Sequence, residues 1–166
     1  VRVAFIMLAL VDPADFDESV VAAVSFSPDR TDPTCCRLRY VTVHTARRGD
    51  GIGPTLIRRT VHWLADAGYD QIRIAVNNPF AYEALYKCGF AYTGEQTGLA
   101  ELELARPAAT VAATRADADR YRSGLRWFRD DDTERPDAER DFLRLRLDDA
   151  DPAAPPALHR VAAEGA

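Results

Sequence analysis

"ARRGDGIGPTL", Ala46 to Leu56, places Gly49, Gly51 and Gly53 within five positions, straight after a strand-like run and straight before apolar residues at helical spacing. Glycine loses the most conformational freedom on folding, so such a cluster marks backbone that must turn to positive φ or lie close to something. A helix beginning at Gly53 leaves its first N–H groups without partners inside the helix, and they carry partial positive charge. A strand, a glycine turn and a helix N-terminus in that order are suited to a phosphate group. The spacing excludes two phosphate loops. A Walker A loop needs a lysine after its glycines, and none follows here. In a GxGxxG fingerprint the third glycine would fall on Pro54 or Leu56. What fits is R-x-x-G-x-G, met by Arg48, Gly51 and Gly53.

Working outward, "CRLRYVTVHT" (Cys36–Thr45) alternates well enough to be the strand that feeds the loop. Before it, "VVAAVSF" (Val20–Phe26) is rich in β-branched residues and reads as a second strand. Val3–Val11 is continuously apolar, as expected of a strand covered on both faces. The turn chemistry of "DPADFDES" makes these two a hairpin. After the loop, Leu56, Ile57, Val61, Leu64 and Ala65 recur at three- and four-residue steps, predicting an amphipathic helix that ends at Gly68. "QIRIAV" (Gln71–Val76) is a fourth strand. In "NNPFAYEALYKCGF" Asn78 and Pro79 stand in the order of helix cap and first turn, and Gly89 closes the helix. "FAYTGE" and "GLAELELARP" complete the sheet, the latter with Leu99, Glu101 and Glu103 alternating against apolar positions. Beyond Pro107 two helical stretches follow, then a Pro/Ala-rich tail. The expected organisation is a core over 1–107, a helical segment over 108–150 and a tail over 151–166.

Two signatures, in this order and about forty residues apart, carry a resemblance. "YVTVHTARRGDGIG" (Tyr40–Gly53) and "NNPFAYEALYKCGF" (Asn77–Phe90) resemble the pyrophosphate loop and the Asn-x-x-Ala helix of the GNAT acyltransferase superfamily, which binds acyl-coenzyme A. The resemblance covers roughly residues 2–107. It implies an α/β fold, a mixed central sheet with flanking helices. The family normally opens with a strand and two helices that wall the acceptor site; here the hairpin comes first, so either the sequence begins after those elements or the two C-terminal helices do their work from the other end. If those helices take over that role, Tyr121, Arg126, Trp127 and Phe128 line the acceptor pocket, within one chain or across a homodimer.

The resemblance also implies a division of labour. The strand around Val41 and Val43 splays from its neighbour and offers backbone to the pantetheine arm. The N–H groups of residues 49–54, among them Gly49, Asp50, Gly51, Ile52 and Gly53, cradle the pyrophosphate. Arg48 adds a charge-assisted contact, and Asn78 reaches the arm from the other side, its plainer role being the helix cap. The family often places a proton-donating tyrosine four residues before the Gly-Phe pair, but that position holds Leu85. Tyr86 lies about 100° around the helix from it and Tyr82 about 60°. Either is a candidate acid, and the alternative for both is core packing. Glu95, Glu101, Glu103 and His44 are candidate bases by residue type only.

The implied activity is acetyl transfer from acetyl-CoA to a primary amine on a small molecule or peptide. The alternative is a catalytically silent domain that binds or senses acyl-CoA. Composition bounds the partners. The net charge is −5, with 11 basic against 13 acidic residues over 1–107 and 10 against 13 over 108–166. No concentrated basic face for nucleic acid is expected from that balance. Val3–Val11 is too short to span a bilayer and lacks the flanks of a signal peptide. Cys35, Cys36 and Cys88 show no metal-ligand spacing, so no metal is expected, and they read as reduced thiols of a cytoplasmic protein. One lysine against twenty arginines, with 18 aspartates to 8 glutamates, fits either a GC-rich genome or a salt-adapted source.

Overall fold

The structure, a computed structural model, describes residues 6–11, 20–109 and 118–147. The turn expected at 12–19, the start of the first strand at 3–5, the opening of the C-terminal helical segment and the tail at 151–166 lie outside the described residues. The chain forms two compact units, one of residues up to 74 together with 106–110, the other of 75–105 and the residues from 111 onward. Two of the passages between them fall within strands, at 74–75 and at 105–106.

The first unit is built on strands β1 (Ile6–Val11), β2 (Val20–Pro28), β3 (Cys35–Val43) and the start of β4 (Gln71–Val76), in the spatial order β1-β2-β3-β4. β1 and β2 pair antiparallel, with Met7 opposite Ser25, and form the expected hairpin. β2 and β3 pair antiparallel from Ala22↔Val43 to Pro28↔Cys36. β3 and β4 run parallel. The connection between β2 and β3 is fixed locally: Asp29 Oδ1 accepts from the Thr31 N–H at 2.9 Å, and Asp29 Oδ2 pairs with Arg37 Nε at 2.5 Å.

Helix α1 (Ile52–Asp66) covers one face of this sheet. Its buried stripe of Leu56, Ile57, Thr60, Val61 and Leu64 meets Ala22, Val24 and Phe26, the alternate residues of β2 that face inward. Thr60, the one polar member, satisfies its hydroxyl on the Leu56 carbonyl at 2.9 Å. Each large apolar side chain buried here contributes roughly 1.5–3 kcal/mol. β3 ends two residues earlier than the alternation suggested. His44 leaves the strand to cap a single 3-10 turn (Thr45–Arg47), its ring nitrogen accepting from the Ala46 N–H.

The second unit contains helices α2 (Pro79–Lys87), α3 (Ala118–Asp130) and α4 (Asp137–Leu147), with strands β5 (Ala91–Gln96) and β6 (Leu102–Pro107) pairing antiparallel. The caps of α2 follow the sequence. Asn78 Oδ1 accepts from the Ala81 N–H at 2.8 Å, and Pro79 occupies the first turn, where no N–H is missed. At the other end Gly89 takes φ +87° while its N–H reaches the Tyr86 carbonyl and that of Phe90 the Leu85 carbonyl, a Schellman closure. α3 packs on α2, α4 and β5, and α4 also meets α2. On β6 the expected alternation fails: Leu102, Glu103 and Leu104 are all buried, so this stretch has no solvent face.

Candidate active site

In the first unit the glycines of the loop have separable reasons. Gly49 (φ +94°) and Gly51 (φ +75°) hold backbone that L side chains rarely adopt, with open space where a Cβ would stand. Gly53 has no such φ; a Cβ there would sit 3.3 Å from Val43 Cγ2, so it is glycine because α1 starts hard against the end of β3. Gly51 caps the helix with no side-chain bond, and the first intrahelical bond runs from the Thr55 N–H to the Gly51 carbonyl at 3.1 Å. The N–H groups of Gly49, Asp50, Gly51, Ile52 and Gly53 find no acceptor among the described residues. The seven-residue run Arg48–Pro54 therefore offers five amides. Arg48 gives its N–H to the Thr45 carbonyl, and Pro54 has none.

Two basic side chains shape this loop. Arg48 Nε donates to the Val43 carbonyl at 3.4 Å, tying the loop to the strand it follows. Arg47 pairs with Asp50 at 3.2 Å, which offsets the one carboxylate among the free amides. The net local field, from the helix terminus and Arg48, favours an anion.

The strand leading into the loop is paired on one side only along much of its length. The parallel ladder with β4 consists of Cys35↔Gln71, Cys36↔Ile72 and Arg37↔Arg73 and goes no further, whereas pairing with β2 continues to Val43. The register with β2 slips where Ser25 faces Tyr40 and Phe26 faces Leu38, leaving Arg39 as an extra residue. Such a bulge bends a strand and sharpens its twist. β3 leaves β4 just before it. Val41 and Val43 thus lie on a stretch whose second edge is not used by β4.

In the second unit the two candidate tyrosines belong to an aromatic cluster. Tyr82 is 1% exposed and Tyr86 4%. The Tyr82 ring stacks on Tyr121 of α3 (5.5 Å between centroids) and meets Phe128 edge-on at 5.7 Å. Its hydroxyl donates to the Tyr121 carbonyl at 3.1 Å. Burial first, then the neighbouring phenols, push its ionisation above the usual tyrosine range. The Tyr86 ring lies 4.4 Å from that of Tyr121. The last turn of α2 tightens only after Tyr86, with the Cys88 N–H reaching back three residues to Leu85, so nothing there turns Tyr86 from its helical direction.

Glu83, between them on α2, is buried and fully engaged. It holds Arg146 of α4 through both carboxylate oxygens (2.8 and 3.1 Å), Lys87 at 2.7 Å and the Tyr121 hydroxyl at 3.0 Å. Burial opposes its ionisation, but the hydrogen bonds from these three partners outweigh burial and hold the carboxyl below its usual range. Burial, then Glu83, pushes Tyr121 well above the ordinary phenol range.

The other residues named by the sequence scatter. The Asn78 side-chain oxygen is taken up as the helix cap, and His44 by its 3-10 turn. Glu101 accepts from the Thr97 hydroxyl at 3.1 Å, Glu95 is exposed, and Glu103 is buried. Of the expected acceptor-pocket residues, Tyr121 and Phe128 are buried inward, whereas Arg126 is exposed and Trp127 half-buried. Sequence reading missed Glu83, Arg146 and Arg135. Arg135 is buried with bonds to the Phe128 and Asn77 carbonyls, Asp131 and Glu139. No group of metal-ligating side chains comes together among the described residues, and no described helix is long and apolar enough to cross a membrane.

Comparison with known proteins bears on the loop and α2 together. Residues 5–90 match the acetyltransferase (GNAT) family profile. Among solved structures the chain is similar to a protein assigned to the GNAT acetyltransferases from Desulfovibrio desulfuricans, with TM-score 0.57 and 12% identity over 63% of this chain and 69% of that one. It is similar to an aminoglycoside 6′-N-acetyltransferase complexed with coenzyme A (0.55, 17%, 64% and 74%). An N-acetyltransferase from Staphylococcus aureus Mu50 is a third (0.54, 16%, 63% and 68%). At such identities the likeness is one of fold. No curated protein sequence matches the chain. With a family profile spanning more than half its length, and the GNAT acyl-CoA N-acyltransferase fold shared with these structures, the chain belongs to the GNAT acetyltransferase family.

Proposed function

We propose that the protein is an N-acyltransferase that takes acetyl-CoA as donor and passes its acyl group to a primary amine. The observation that carries this reading is the row of unclaimed amides from Gly49 to Gly53 at the positive end of α1. A diphosphate brings the oxygens those amides lack, and Arg48 adds charge. The unpaired edge of β3 at Val41 and Val43 suits an amide-bearing pantetheine arm, which can bond a strand as another strand would. The aminoglycoside 6′-N-acetyltransferase of like fold was solved with coenzyme A.

When bound, acetyl-CoA supplies a thioester carbon that a neutral amine attacks, the C–N bond forming as C–S breaks, with one proton leaving nitrogen and one reaching sulfur. The chain's own contribution is chiefly positioning. Residues 49–53 fix the diphosphate, and the β3 edge fixes the arm. Tyr86 and Tyr82 are both candidates for the proton given to the departing sulfur, with the Tyr82 hydroxyl donating to the Tyr121 carbonyl. Thiol release from acetyl-CoA with a panel of primary amines tests this. Replacing the acid is expected to lower kcat by about 10²-fold, the lower range for a general acid, in one of the two variants Tyr86→Phe and Tyr82→Phe. Parent-level rates in both would remove any tyrosine acid.

A second reading, an acyl-CoA-binding module without turnover, is favoured by Leu85 at the family's acid position and by the burial of both tyrosines. Saturable acetyl-CoA binding with no thiol release from any amine would support it. Absence of binding would end both readings.

A further inference from the structure

The head of α1 carries a charge that no motif in the sequence marks. Arg58 stands in the second turn of the helix, half-buried, and its side chain runs back toward the first turn. Its Nη2 donates to the Thr55 hydroxyl at 3.2 Å, and that hydroxyl donates to the Gly51 carbonyl at 2.9 Å. The guanidinium is thus two hydrogen bonds from the residue that caps the helix. Nη1 is buried with no partner, and no carboxylate pairs with Arg58 among the described residues. That is an unfavourable place for a cation. Helix N-termini favour anions, and a buried donor left without a partner costs free energy. The first turn of α1 holds no acidic side chain to offset either cost, and Asp50, the carboxylate of the loop, is paired with Arg47.

We infer that Arg58 is a cofactor-affinity residue: its charge is kept unpaired at the head of α1 for the diphosphate of an acyl-CoA, and Thr55 holds it there. This rests on the reading of residues 49–53 given above and adds a cation outside the R-x-x-G-x-G motif. The charge acts through the field at the helix terminus rather than by contact, since Nη1 is already enclosed by protein. A diphosphate at the loop supplies the negative charge that the unliganded protein lacks beside this residue. Arg58 therefore costs stability while the site is empty and returns it when the site is filled. An arginine with a purely structural task looks different: Arg135, also buried, is paired within the protein by Asp131 at 3.0 Å and Glu139 at 3.2 Å.

The test is calorimetric titration of the full chain with acetyl-CoA and with its 3′-dephospho analogue, beside the unfolding midpoint of the unliganded protein. Arg58→Gln removes the charge, and Arg58→Lys keeps it. Arg58→Gln is expected to weaken acetyl-CoA binding about 3- to 30-fold, the scale of one charge acting at a helix terminus. Its unfolding midpoint should stand at or above that of the parent. Arg58→Lys is expected to bind within about twofold of the parent, because charge rather than the shape of the guanidinium carries the effect. The loss in Arg58→Gln should be the same for the 3′-dephospho analogue, which keeps the diphosphate. Unchanged acetyl-CoA affinity in Arg58→Gln would overturn the inference. So would a lowered unfolding midpoint or a failure to fold, the mark of a structural arginine, and so would an equal loss in Arg58→Lys. A loss that vanishes with the dephospho analogue would move the charge to the 3′-phosphate and overturn its assignment to the diphosphate. A parent protein that binds neither compound would overturn the reading of the loop itself, and the inference with it.

Discussion

At the scale of single residues, the loop shows that three glycines close in sequence can serve unlike ends. Gly49 and Gly51 are there for their backbone angles, and Gly53 for the methyl of Val43 that a side chain would press against. Their presence was legible because glycine clusters are rare and costly. The division between them was not, because close approach depends on a strand ten residues away. The difference is testable. Gly53→Ala gains helix propensity but must push Val43 aside, and the adjustment falls on the amides that face the ligand. Acetyl-CoA affinity measured by calorimetry should fall about tenfold, equivalent to about 1.4 kcal/mol, while the unfolding midpoint moves little. Unchanged affinity would mean that the N-terminus of α1 does not hold the cofactor. Tyr86 poses the opposite case. Its displacement from the family position was plain from spacing, but its neighbours were not, since Tyr121 reaches it from a helix that no local pattern links to α2.

Among the elements, those whose ends carry their own chemistry were legible. α2 begins at Asn78 and Pro79 and closes at Gly89 because each residue satisfies or removes an orphan backbone group there. β3 was harder. Alternation carried the expected strand on to Thr45, whereas His44 is spent on capping the next turn, and the bulge at Arg39 has no sequence mark. Side-chain bonds such as Glu83 to Arg146, 63 residues apart, have no periodicity by which to be read. The packing of α3 on α2 turns on Gly124. Gly124→Ala would be stabilising on an isolated helix, by up to about 1 kcal/mol, but here it drives a methyl into the Tyr82 ring. The expected net effect is a loss of about 1–3 kcal/mol in chemical denaturation, the usual cost of overpacking. A neutral or stabilising result would show that Tyr82 does not occupy that space.

At the scale of the whole molecule, the order of elements through β6 and the presence of two later helices were legible, since hydrophobic periodicity and turn residues report on each segment alone. The grouping of segments was not. α3 and α4, expected as an appendage after residue 107, pack with α2 and β5 in one compact unit. The same limit applies to function. Spacing pointed to a phosphate-binding turn, and the fold supplies the unpaired strand edge and open amides beside it, but the acceptor amine is written in neither. In the proposed function the backbone of residues 49–53 receives the diphosphate of an acyl-CoA. The most direct measurement is 15N–1H NMR of the full chain titrated with acetyl-CoA. The amides of Gly49, Asp50, Gly51, Ile52 and Gly53 are expected to shift saturably and together, and 3′,5′-ADP, which carries no diphosphate bridge, to move them far less. Saturable binding that leaves those five signals in place would contradict it.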